Sequence, residues 1–209
     1  MKKRTNIIII ITLTLLLIIE IILVKTNCFS QIDSFIYTHV SNLTNPINTS
    51  IFKAFSFLGS EIFIIILCLL VLFIFKKKSS GVGFVFILFL STLFNQGLKL
   101  IVGRERPNIN PLVIETSYSF PSGHTMIITT MVGLFIFYLW NNKKGSRNKK
   151  IIITTVLTII ALLVMLSRIY LGVHYFSDII GGITASLLLL AIVYYYYSFK
   201  YKVPYFPKK

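Results

Sequence analysis

The run Ile151-Ile-Ile-Thr-Thr-Val-Leu-Thr-Ile-Ile-Ala-Leu-Leu-Val-Met-Leu166 is followed by Ser167-Arg-Ile-Tyr-Leu-Gly-Val-His174-Tyr-Phe-Ser-Asp178, and then by a second apolar run from Asp178 to Tyr197. A helix needs about 20 predominantly apolar residues to cross the hydrocarbon core of a bilayer. Both runs approach that length, and the link between them concentrates an Arg, a His and an Asp. The stretch therefore reads as two membrane crossings joined by a polar connection.

Upstream lie four more runs of the same kind: Ile7 to Val24, Phe57 to Phe75, Val82 to Leu100 and Thr125 to Trp140. Glu61 interrupts the second of them and is expected at the membrane interface. The first follows Met1-Lys2-Lys3-Arg4 but has a long apolar core and no small-residue cleavage site after it, so it is expected to stay as a helix. Six crossings use about 120 positions of a chain of 209 residues, leaving no room for a second domain. The expected architecture is all-α: a polytopic bundle of six transmembrane helices forming a single membrane-embedded domain over 1–209. Its motif-bearing core is 57–198, and 25–56 is an outer interfacial segment. Composition agrees: 56% of the residues are hydrophobic, 13% are charged and the mean hydropathy is +0.83, which excludes a purely soluble domain.

The net charge of +15, from 21 Lys and Arg against 6 Asp and Glu, would point to nucleic acid in a soluble chain. Here its distribution follows topology instead, and no nucleic-acid partner is expected. Basic residues gather at alternate connections: Lys2 to Arg4, Lys76 to Lys78, Lys143 to Lys150, and Lys200 to Lys209. The positive-inside bias then puts both termini in the cytoplasm and the other connections outside. In the outer segment, Ile32, Phe35, Ile36, His39 and Val40 recur at helical spacing, the pattern of a helix lying along the interface. His39 carries no functional expectation, and neither do the Asn42-Leu-Thr and Asn48-Thr-Ser triplets. Cys28 and Cys68 form no spacing motif, so no disulfide framework or metal knuckle is indicated.

The outward connections hold nearly all the reactive side chains. Lys99 ends the third run and Arg106-Pro107 follows it; Pro121-Ser122-Gly123-His124 precedes the fourth; Arg168, His174 and Asp178 join the fifth to the sixth. A lone Lys or Arg at a helix end is ordinarily a snorkelling anchor. Three cations at one membrane level, together with two histidines and an aspartate, instead suit a polyanion such as a phosphate dianion. Pro-Ser-Gly-His has a favoured N-cap and a glycine where a helix start presents free N–H groups, either to an anion or simply to solvent. His174 and Asp178 share a helical face, so the carboxylate can fix the imidazole tautomer and leave the other nitrogen as a nucleophile. The same pair can equally be a structural polar contact or two metal ligands. Against metal, the carboxylates form no compact set and the surrounding cations would repel a metal ion.

These three blocks resemble the signature motifs of the type 2 phosphatidic acid phosphatase superfamily, which also contains vanadium haloperoxidases and bacterial acid phosphatases. The resemblance implies a phosphatase that works without metal or other cofactor through a phosphohistidine. In that scheme His174 attacks phosphorus, Asp178 orients it and His124 protonates the leaving oxygen. Lys99, Arg106, Arg168, Ser122 and Gly123 would hold the phosphoryl oxygens. The implied partners are the bilayer and a membrane lipid phosphate or diphosphate: phosphatidic acid, phosphatidylglycerol phosphate or undecaprenyl diphosphate. The three blocks do not distinguish these substrates, and specificity is expected from 108–120 and the outer segment. The alternative is a non-catalytic lipid-phosphate binder or a transporter, although neither internal pseudo-symmetry nor broken helices mark the sequence. Oligomeric state leaves no trace in it.

Overall fold

The computed structural model describes residues 3–74, 78–108, 110–142 and 144–196, with only the backbone at 78–80. Phe75, Tyr197 and the basic residues Lys2, Lys76, Lys77, Lys143, Lys200, Lys202, Lys208 and Lys209 lie outside the described residues, as does the side chain of Lys78. The described chain is all-helical: α1 (Lys3–Lys25), α2 (Ser30–Ser41), α3 (Pro46–Phe57), α4 (Glu61–Ile74), α5 (Lys78–Val102), α6 (Gly123–Asn141), α7 (Arg147–Tyr170) and α8 (Phe176–Tyr195). Five of these are long and apolar enough to cross a membrane, and a sixth crossing exists if α3 and α4 count as one span bent by 43°.

That bend corrects the sequence expectation for the second crossing. The second apolar run is not one helix from Phe57 to Phe75, and the outer segment holds a second helix, α3, beyond the one expected over Ile32 to Val40, which is α2. Helix α3 starts at the Asn45 side-chain cap and Pro46 and leads into α4. Helix α4 has 14 residues, about 21 Å at the α-helical rise and so too short to span alone. The break at 58–60 brings Gly59 against the neighbouring helices: a Cβ there would lie 2.9 Å from His124 Cδ2 and 3.0 Å from Val164 Cγ1. A straight helix carrying a side chain at this point would collide with the imidazole.

Helix α8 is the central element. Half of its apolar window is buried, against 11% for α1, which packs on it from the edge. It is flanked by α6, which also packs on α5 and α7. Close approach of α6 and α8 depends on Gly181 and Gly182. A Cβ on Gly182 would lie 2.9 Å from Thr125 Cβ, and one on Gly181 would enter the Phe120 ring. Helices α5 and α7 each end on a glycine in the left-handed region, Gly103 at φ 64° and Gly172 at φ 71°, and only glycine adopts that conformation without strain. The two turns deliver the following connections to the bundle end where α6 and α8 begin.

Candidate active site

The cations come from α5, its following loop and α7. Lys99, buried in the last turn of α5, donates to Ser117 Oγ at 2.7 Å. Arg106 donates through Nε to the Ser117 carbonyl at 2.6 Å and through Nη1 to the Val173 carbonyl at 2.9 Å. Arg168 is buried within α7, which runs on to Tyr170, so Ser167 and Arg168 belong to the helix rather than to the connection expected from sequence. The helix continues because its wall there is protein: Arg168 reaches Ser56 Oγ and pairs with Glu115 Oε1 at 2.5 Å. The other Glu115 oxygen lies 3.7 Å from Arg106, and Arg168 Nε is buried with no partner among the described residues. Lys99, Arg106, Glu115 and Ser117 line a cavity of about 580 Å³.

The histidine and aspartate meet, though not as two residues on one helical face. His174 precedes α8, whose N-cap is Tyr175, and Asp178 lies in its first turn. Asp178 folds back so that Oδ2 accepts from Tyr175 N at 2.8 Å and faces His174 Nδ1 at 3.3 Å. Ser119 Oγ also donates to Oδ2. The opposite ring nitrogen, Nε2, lies 3.3 Å from Arg106 Nη1. With a carboxylate on Nδ1 and a guanidinium N–H on Nε2, the consistent proton position is Nδ1, leaving the Nε2 lone pair toward the cations. Burial pushes the His174 pKa down to about 4; Asp178 pulls it up, while Arg106 and Arg168 add to the fall. The ring is therefore neutral at physiological pH. The Arg106 pKa is also lowered by burial, an effect that Glu115 and Asp178 oppose.

Ser122 caps α6, its Oγ accepting from Thr125 N at 3.4 Å, and its own N–H donates to the Asp178 carbonyl at 3.0 Å. The cap uses the Ser122 hydroxyl as an acceptor, and the side chain is fully buried. The N–H groups of Gly123 and His124 have no partner within the helix, as at any helix start. A Cβ on Gly123 would lie 3.2 Å from Asn95 Oδ1. His124 packs over Gly59 within electrostatic range of Arg168, His174, Arg106 and Lys99.

Sequence reasoning passed over several participants. Arg104 donates to Asp178 Oδ1 at 2.6 Å and to Asp33 Oδ2 at 2.8 Å, so two carboxylates that looked unrelated in sequence share one guanidinium. Burial disfavours the Arg104 charge, but Asp178 and Asp33 outweigh it and raise its pKa. Glu115, Ser117 and Ser119 were likewise unassigned. One signal was readable: Asp33 shares the α2 face of Ile36 and Val40, which pack into the core, and a carboxylate on an apolar face needs a partner.

A buried imidazole with one nitrogen on a carboxylate and the other facing a guanidinium, at the mouth of a membrane-crossing bundle, has the parts for moving a phosphoryl group on a membrane lipid. The class these parts define is an integral membrane phosphatase. Residues 80–202 match the PAP2 superfamily, and the chain belongs to it. It is 29% identical over 168 residues to phosphatidylglycerophosphatase B of Bacillus subtilis (strain 168), covering 79% of this chain and 83% of that protein. The fold is similar to that of the crystallised transmembrane PAP2 type phosphatidylglycerolphosphate phosphatase from Bacillus subtilis, with TM-score 0.82, 28% identity and coverage of 95% of this chain and 98% of that one. It is also similar to Aquifex aeolicus LpxE, with TM-score 0.60, 25% identity and coverage of 76% and 93%.

Proposed function

We propose that the protein removes phosphate from a membrane lipid phosphate at the extracytoplasmic face through a phosphohistidine on His174. The observation that carries this reading is the polarised imidazole, with Asp178 at 3.3 Å from Nδ1 and Arg106 at 3.3 Å from Nε2. In the first half-reaction His174 Nε2 forms a bond to phosphorus as the bond from phosphorus to the lipid oxygen breaks. His124 gives its proton to the leaving oxygen, and Asp178 offsets the positive charge that develops on the His174 ring. Lys99, Arg106, Arg168, the Ser122 hydroxyl and the Gly123 N–H receive the phosphoryl oxygens. In the second half-reaction water attacks phosphorus, the N–P bond breaks and the water proton passes to His124.

Glu115 spans Arg168 and Arg106, while Ser117 occupies Lys99 and Arg106. A phosphate taking these cations would compete with the Glu115 carboxylate and the Ser117 hydroxyl. Charge neutralisation by side chains makes the reaction independent of metal. The lysine-rich connections support cytoplasmic termini and an outward site. The names of the similar proteins make phosphatidylglycerol phosphate the first substrate to assay, with phosphatidic acid and undecaprenyl diphosphate as comparators. Detergent-purified protein should release phosphate from the preferred lipid at the same rate with and without EDTA, and His174→Ala should release none. Loss of activity in EDTA, or turnover by His174→Ala, would contradict the proposal.

A further inference from the structure

The outer segment carries no signature residue, yet one of its side chains enters the site. Asp33 of α2 is 2% exposed and Asp178 fully buried, and Arg104 lies between them. Arg104 Nη1 donates to Asp178 Oδ1 at 2.6 Å and to Ser177 Oγ at 2.7 Å, and Nη2 donates to Asp33 Oδ2 at 2.8 Å. Asp33 accepts further from Ser177 N at 2.9 Å and Ser177 Oγ at 2.6 Å. The guanidinium also lies 3.9 Å from the centroid of the Tyr175 ring, adjacent in sequence to His174. The result is a carboxylate, a guanidinium and a second carboxylate in line behind the imidazole.

We propose that Asp33 is a positioning residue for the nucleophile, holding Arg104 against Asp178 and balancing its charge so that Asp178 keeps its negative charge for the His174 ring. The inference rests on the phosphohistidine reading above. Its physical basis is electrostatic. Bond formation between Nε2 and phosphorus makes the ring positive, and a net negative charge behind the ring lowers the energy of that state. Asp178 and Arg104 alone would present a neutral pair to the ring. Adding Asp33 restores one negative charge, in a buried setting where charges are weakly screened. Geometry contributes as well. Ser177 N and Oγ lock the Asp33 carboxylate, which fixes the guanidinium, which fixes Oδ1; the other oxygen of the same carboxylate then faces Nδ1. Supporting groups of this kind change reactivity without touching substrate.

A residue acting on bond formation changes kcat, whereas the cations that hold phosphate also change KM. The test uses full-length protein in detergent with a short-chain phosphatidic acid, comparing Asp33→Asn, Ser177→Ala and His174→Ala with wild type. Thermal unfolding midpoints and gel filtration are measured on every sample. Folded Asp33→Asn should lose about ten- to a hundredfold in kcat, by analogy with the loss when the hydrogen-bond partner of a metal-ligating histidine is removed, with KM and inhibition by inorganic phosphate unchanged. Ser177→Ala, which removes one hydroxyl from the clamp, should lose a few-fold in kcat, also with KM unchanged. If Asp33→Asn does not fold, Ser177→Ala decides the matter. Wild-type kcat in the folded variants, or a rise in KM at constant kcat, overturns the inference. Should His174→Ala be inactive while Asp33→Asn keeps full kcat, only this inference fails; should His174→Ala turn over, the phosphohistidine reading fails and takes the inference with it.

Discussion

The two connections that build the site differ in kind. The turn between α7 and α8 is short, and Leu171, Gly172, Val173 and His174 are all buried. It is held by backbone bonds from Leu171 N to Ser167 O at 2.9 Å and from Val173 N to Arg168 O at 3.2 Å. The connection between α5 and α6 is long, and its tip is open: Ile114 is 92% exposed, and Glu115, which pins Arg168, is itself partly exposed. The buried turn carries His174, the proposed nucleophile, where an ångström of error would be costly. The open loop carries Arg106, Glu115 and Ser117, which line the cavity. Leu112 N donates to the Leu171 carbonyl at 3.0 Å and stitches the two together, so the open element is anchored on the buried one.

The sharpest way to break this contrast is at His124, at the start of α6 where the loop ends. As a general acid it contributes about a hundred- to ten-thousandfold, but only where the leaving oxygen needs a proton. His124→Ala should lose that much on phosphatidic acid, whose leaving group is an alkoxide, and clearly less on undecaprenyl diphosphate, whose leaving group is a phosphate. Equal losses in steady-state assays on the two lipids would refute the role.

A smaller effect is expected at the loop itself. Glu115 pairs with Arg168 and Arg106; if these cations hold phosphate as proposed, Glu115→Gln should strengthen inhibition by inorganic phosphate about fivefold, the worth of a partly exposed ion pair of roughly 1 kcal/mol. Unchanged or weakened inhibition would show that the carboxylate does not compete for the cations.

The smallest effect is one of pH and belongs to the buried turn. Burial sets the folded-state pKa of His174 at about 4, below the ordinary imidazole value of about 6.5. The ring therefore stays neutral and nucleophilic at pH 6 and protonates only as pH falls through about 4. Over that window the unfolded chain binds the extra proton, so this group makes the fold less stable as pH drops below the ordinary value. A ring-nitrogen NMR titration of ligand-free protein should show His174 neutral at pH 5.5, and a normal titration would contradict its burial.

The separate histories of the two connections also explain what was legible in the sequence. The apolar runs and the Ser122 cap are local patterns, read from the side chains that form them. Breaks are harder to read. Glu61 interrupts the second run and hints at a shorter helix, but nothing nearby announces that Gly59 is required by His124, far along the chain. Arg168 looked like a loop residue because a cation inside a membrane helix is costly, and only its partners Glu115 and Ser56 show why the helix accepts it. Asp33 and Ser177 stand 144 residues apart, and their contact belongs to the packing of α2 on α8 rather than to either segment. Local spacing brought His174 and Asp178 together on paper for a helical reason, whereas the fold joins them through the first turn of α8.

Trapping the covalent state tests the central claim most directly. Protein mixed with the preferred lipid and quenched in alkali within the first turnover should yield, by peptide mass spectrometry, a phosphoryl group on the His174 ring that disappears on a longer chase. Phosphate found on another side chain, or full turnover with no phosphorylated protein at any time, would contradict the account.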